Sequence, residues 1–189
     1  MIDYLERTFS PRDTAVIYIY NSYTEHAEQS ATNLIGSLLQ QVVRQKSVVS
    51  EGIKTMYRQH SAQGTRPSLG DLSSSLRLET KDFAHVFIVV DALDECDEAN
   101  GVRESLLEKL RGQLVERNLR LMITSRFLTG LEYDLNGAMF LEIRASDDDI
   151  EEYLRCRIPK ERRLARHVAS DEDLHDAIIK TIVNNAKGM

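Results

Sequence analysis

No apolar run in the 189 residues approaches the ~20 needed to cross a bilayer. The opening stretch MIDYLERTFSPRD carries acids where a signal peptide would be basic and then apolar. A chain lacking both reads as intracellular, with no membrane span. Cysteine is scarce as well: Cys96 and Cys156 are too far apart for a Cys-x-x-Cys pair, so neither a disulfide framework nor a zinc site is indicated. Cys96 reads as a small filler rather than a nucleophile. An excess of positive charge is also missing. The net charge of −6 argues against a general nucleic-acid binder. The one basic stretch, Arg155 to Arg166, follows glutamates and reads as a solvated helix face. There is no internal repeat and no low-complexity segment.

What remains is an ordinary globular composition, 42% hydrophobic and 29% charged, in a chain long enough for a real core. Ile2 to Phe9 reads as the end of a helix stopped by Ser10-Pro11, and AVIYIY (15–20) as a β-branched, aromatic strand. The pairs Leu34-Ile35, Leu38-Leu39 and Val42-Val43 recur every four residues, which places them on one face of a long helix. Further helices are expected over 50–60 and 69–78, with Gly64, Pro67 and Gly70 marking the turn between them. Val102, Leu106, Leu107, Leu110 and Leu114 keep helical spacing; LRLMIT (119–124) and AMFLEI (138–143) read as strands. From Ser146 the pattern is helical to 186, opening on an N-cap with acids in its first turn and closing on Lys187-Gly188 as a C-cap.

Residues 86–97, VFIVVDALDECD, carry the strongest local signal. Five apolar residues that do not alternate read as a strand covered on both faces, the habit of parallel sheets. It runs into Asp91, Asp94, Glu95 and Asp97. In open α/β sheets the C-terminal strand edge is where ligands bind, and carboxylates there can hold a hard cation or orient a water. The bland alternative is an acidic turn capping the next helix. Strands separated by helices, with acids and a Thr-Ser-Arg at successive strand ends, predict a three-layer α/β fold.

VFIVVDALDE resembles the Walker B segment, and LMITSR the sensor-1 strand, of the NACHT domains of STAND-class P-loop nucleoside triphosphatases, in the fungal and nephrocystin-like style. AVIYIYNSYTEHAEQSATNLIGSLLQQVV resembles that family's second strand and following helix, and DDDIEEYL and IVNNAKGM resemble pieces of its helical subdomain. The resemblance implies that Asp91 holds the Mg²⁺ of ATP or GTP and that Glu95 is the base polarising the attacking water, with Asp94 assisting. It implies that Arg126 reaches the γ-phosphate as a fixed fork, with Thr124 and Ser125 positioning that loop. The competing reading of Arg126 is a surface arginine paired with Glu95 or Asp97.

The same family depends on Gly-x-x-x-x-Gly-Lys-[Ser/Thr], and no such run occurs in the sequence. Lys46-Ser47 lacks the glycine and is expected within a helix. The resemblance thus implies a P-loop-type parallel sheet that begins after its first, P-loop strand: 1–145 as a partial core and 146–189 as the start of the helical subdomain. It further implies a cytoplasmic signalling protein whose triphosphate hydrolysis is impaired. The alternative is a non-catalytic module that forms homo- or hetero-oligomers with related NACHT chains. Without the first strand, either LRLMIT and AMFLEI pair directly or the sheet keeps an unpaired edge, which invites association.

Overall fold

The computed structural model describes residues 1–10, 13–25 and 28–186. Pro11, and Lys187-Gly188 with its expected C-cap, lie outside the described residues. The fold is α/β, with a parallel three-stranded sheet and nine α-helices among the described residues. Two compact units are present, Met1–Gly137 and Ala138–Met189.

In the first unit α1 (Ile2–Thr8) leads to β1 (Thr14–Tyr20). Then come α2 (Ala31–Gln45), α3 (Glu51–Gln63) and α4 (Leu69–Thr80), β2 (His85–Asp91), α5 (Val102–Gln113), β3 (Leu119–Ile123) and the single-turn α6 (Leu131–Asp134). The helix starts are chemically specified. Ser30 and Ser50 accept from the backbone N–H groups of Asn33 and Ile53, and Ser68 with Asp71 forms a capping box. Gly64, at φ 61°, ends α3 in the left-handed conformation that glycine adopts without strain.

Strands run in the order β1-β2-β3, with Ile17 opposite Ile88 and Ile88 opposite Leu121. Alternate residues Ala15, Ile17, Ile19, Val86, Ile88 and Val90 bury one face of the sheet. Against them pack Ile35, Leu38 and Val42 of α2, Leu76 of α4, and Leu106 and Leu110 of α5, all essentially without solvent exposure. On the opposite face the ring of Phe9, just after α1, meets that of Phe87 at 4.9 Å. The apolar pairs read along α2 are thus its core face.

The outer edge of β1 is closed by side chains. Gln45 Oε1 accepts from the Val16 N–H at 3.2 Å while its Nε2 donates to Val16 O at 2.9 Å. Gln41 does the same for Tyr18, at 2.9 and 2.8 Å. Four residues along a helix advance about 6 Å, close to the roughly 6.6 Å between alternate residues of a strand. Two glutamines one turn apart therefore stand in for a neighbouring strand.

Lys46 lies at the C-cap of α2 with extended backbone, not within a helix as the sequence suggested. Its ammonium group pairs with Glu79 and Asp82, and the Ser50 hydroxyl donates to the other oxygen of Glu79. Burial opposes the charge on Lys46, but Asp82 and Glu79 outweigh it and hold the pKa above the ordinary lysine value.

The expected fourth strand, AMFLEI, is absent: residues 138–143 have no ladder partner. A strand exists only where a neighbour takes its backbone groups, whatever its propensity. The other edge of β3 is left unpaired among the described residues. Of the two outcomes expected for the sheet, it keeps an open edge.

The second unit contains α7 (Asp147–Arg157), α8 (Arg162–Val168) and α9 (Glu172–Ala186). Ser146 and Asp149 form a capping box at the start of α7, and three aspartates in its first turn complement the helix dipole. Among the described residues no helix is long and apolar enough to cross a membrane.

Candidate functional site

Parallel register brings the C-terminal ends of β2 and β3 side by side, so that the two sequence motifs meet. Thr124 N–H donates to Val90 O at 2.9 Å, and Thr124 O accepts from Leu93 N–H at 2.9 Å. The Thr124 hydroxyl donates to Asp91 Oδ1 and accepts from the Ala92 N–H at 3.0 Å. Thr124 thus fixes the Asp91 carboxylate and the turn that follows it.

That turn depends on Ala92, the one non-glycine residue with positive φ among the described residues, at φ 53° and ψ 53°. The left-handed residue reverses the chain into the single 3₁₀ turn Leu93–Glu95, which buries Leu93 and brings Asp94 towards β3. There Asp94 Oδ1 accepts from the Arg126 backbone N–H at 2.9 Å and Oδ2 accepts from Arg126 Nε at 2.5 Å. The Asp94 side chain is only 8% exposed and that of Arg126 80%, so the aspartate is the fixed partner. Burial would raise the Asp94 pKa, but the Arg126 backbone N–H and guanidinium outweigh it and hold the carboxyl below the usual range. Reciprocally, Asp94 holds the Arg126 guanidinium still more firmly protonated.

Arg126 therefore pairs with Asp94, a partner the bland reading did not name, and the Glu95 charge adds to the same attraction. Asp97 does what that reading expected of an acidic turn. It accepts from the backbone and side chain of Asn100, and its carbonyl takes the Val102 N–H at the start of α5. Glu95 Oε2 accepts from the Tyr23 N–H at 3.3 Å. The Ser125 hydroxyl turns back to the carbonyl of Arg126. Cys96 is buried, and burial pushes its thiol pKa up, as suits a filler and not a nucleophile.

Sequence reading overlooked a third contributor, the end of β1. The backbone N–H and side-chain Nδ2 of Asn21 both donate to Asp91 O, at 3.1 and 2.9 Å. With the Tyr23–Glu95 contact, this ties the segment after β1 to the acidic turn. The available signal was a polar Asn-Ser-Tyr-Thr run directly after AVIYIY, at the same strand edge as the acids.

The donor set suits one kind of cation site only. Among the described residues no three His, Cys, Asp or Glu side chains are grouped to hold a metal ion. A cation at Asp91 would take one carboxylate from the chain and its other oxygens from water and phosphate, the usual habit of Mg²⁺.

A family model described as nephrocystin 3, N-terminal, matches residues 1–126, a span that includes β1, both strand-tip motifs and Arg126. No curated protein and no solved structure matches the chain. The match covers 126 of the 189 residues, and the chain belongs to the nephrocystin 3 N-terminal family.

Proposed function

We propose that the joined tips of β2 and β3 form the acid-and-sensor half of a nucleoside-triphosphate site of the NACHT type, in a cytoplasmic signalling protein of the STAND class. The observation that supports this is the cross-strand coupling itself. Thr124 orients Asp91 and Asp94 orients Arg126, so the candidate metal carboxylate and the candidate sensor share one rigid edge. Asp91 would hold Mg²⁺ through one oxygen or through water. Such an ion bridges β- and γ-phosphate oxygens and neutralises the charge that develops on transfer. Glu95, at the same strand edge and accepting from the Tyr23 N–H, is the candidate for taking a proton from water. Asp94 has both oxygens engaged by Arg126, so its assistance is positional: it aims the guanidinium. On this reading 1–145 is a partial core and 146–189 the start of a helical subdomain.

The sequence holds no Gly-rich loop ending in Lys-Ser or Lys-Thr, and backbone amides with a lysine supply most triphosphate affinity. Binding by this chain is therefore expected to be weak, about millimolar in Kd. The test is equilibrium binding of fluorescent ATP and GTP with and without Mg²⁺, beside Asp91→Ala. Mg²⁺-dependent binding that the variant weakens roughly tenfold is the expected result. Binding indifferent to both Mg²⁺ and Asp91, or none by either protein, overturns the reading.

A second reading, a non-catalytic module that assembles with related chains, is favoured by a different observation, the open edge of β3.

A further inference from the structure

Between α2 and α3 lies a groove of about 550 Å³ whose lining belongs wholly to the first unit. Leu39 and Val43 of α2 face Ile53, Met56 and Tyr57 of α3 across it, and the segment after α3, through Thr65 and Pro67, forms a third wall. Val43, Ile53 and Met56 rest on the core beneath, so the groove is built on packed structure. Tyr57 stands 72% exposed beside it. Small-molecule sites have this size and character: concave, mostly apolar, with a few polar groups that fix orientation.

Gly36 opens the groove. It lies in the interior of α2, where glycine is the poorest helix former after proline. Its φ is not positive, and a Cβ built on it would meet Leu72 Cδ1 at 3.6 Å, an ordinary contact. Neither backbone nor packing therefore demands glycine here. What the missing side chain leaves is space, which the groove shares with an adjoining depression of about 400 Å³, since Gly36, Gln40 and Pro67 line both. The charged lining has one sign. Arg44 and His60 line the groove and Arg66 the depression, and no carboxylate among the described residues lines either. His60 Nδ1 lies 2.8 Å from Thr65 Oγ1, which anchors the ring to the third wall. Arg44 is exposed, has no ion pair among the described residues, and lies about 12 Å along α2 from Gly36.

We propose that this groove binds an amphipathic anion of small-molecule size, an alkyl or aryl body carrying one acid group. The body lies along Leu39, Val43 and Met56 in the space that Gly36 leaves, and Arg44 meets the acid group. The proposal is independent of the strand-tip acids, and its test reads no nucleotide. The probe is the fluorescent sulfonate 8-anilinonaphthalene-1-sulfonate, beside its uncharged counterpart N-phenyl-1-naphthylamine. The folded chain should bind the sulfonate saturably and more tightly than the uncharged dye, and decanoate should displace it. Gly36→Leu, which fills the groove, should weaken sulfonate binding by about tenfold or more. Arg44→Gln should weaken the sulfonate and decanoate but not the uncharged dye. Far-UV circular dichroism checks that each variant folds; if Gly36→Leu does not, Arg44→Gln, an exposed change, decides. Fluorescence that never saturates, binding that the decisive variant leaves unchanged, or equal affinity for the two dyes would each overturn the proposal. An acidic amphipathic peptide that displaces the sulfonate where decanoate does not would overturn it too, and would give the groove to a protein partner.

Discussion

Asp94 grips Arg126 twice, by the backbone N–H at one carboxylate oxygen and by Nε at the other. The grip makes stability at this strand tip depend on pH. The folded pKa of Asp94 lies below its ordinary value, so its contribution is fully present above the ordinary carboxylate range and is lost as pH falls through the folded pKa. Arg126→Ala should therefore be less stable than wild type near neutrality. The gap should narrow as Asp94 protonates in acid. Urea titrations across pH 7 to 3 would check this, and a gap that stays constant would exclude the linkage.

Gln41→Leu/Gln45→Leu should leave the part-buried backbone groups of Val16 and Tyr18 without partners. Unmet groups of this kind cost about 1–3 kcal/mol each. The double variant should lose at least about 2 kcal/mol in chemical denaturation. Gln40→Leu, a neighbouring exposed glutamine on the same helix, should stay within about 0.5 kcal/mol of wild type. Equal effects of the two changes would refute the edge-closing role.

Lys46→Met should be strongly destabilising, because it strands the Glu79 carboxylate, which is 5% exposed. Removing one partner of a buried pair costs about 3–5 kcal/mol. Adding Glu79→Leu should recover a large part of that loss, since the apolar pair leaves no buried charge. A double-mutant cycle reads this directly, and simple additivity of the two changes would contradict the coupling.

Ala92→Val should cost about 1–2 kcal/mol, since a β-branched side chain fits poorly at φ 53°. Ala92→Gly, which adopts that φ without a Cβ clash, should be close to neutral. Thermal melts of the three proteins would rank them; a valine variant as stable as wild type would mean that the turn relaxes.

Much of this architecture was legible because it is local. The unalternating VFIVVD run, the four-residue recurrence along α2 and the Ser146 N-cap with acids in the first turn of α7 each act within a few residues. AMFLEI misled for the opposite reason. Its propensity is that of a strand, but strand formation is settled by a neighbour, and none engages it. The acids and the Thr-Ser-Arg were found because strand ends of one parallel sheet share an edge. Their pairing was not. That Arg126 falls to Asp94 follows from the left-handed turn at Ala92, and an alanine gives no warning of positive φ. Asn21 and the edge-closing glutamines escaped notice because a polar side chain on a helix or after a strand resembles any solvated one until its surroundings are known.

The seal on β1 also has a temporal side. Within the sheet, amide protons are protected by neighbouring backbone, and their exchange with solvent reports on the sheet itself. The amides of Val16 and Tyr18 are held by glutamine side chains rooted in α2. Their exchange records how long that helix stays docked, so two strand protons keep time for a helix.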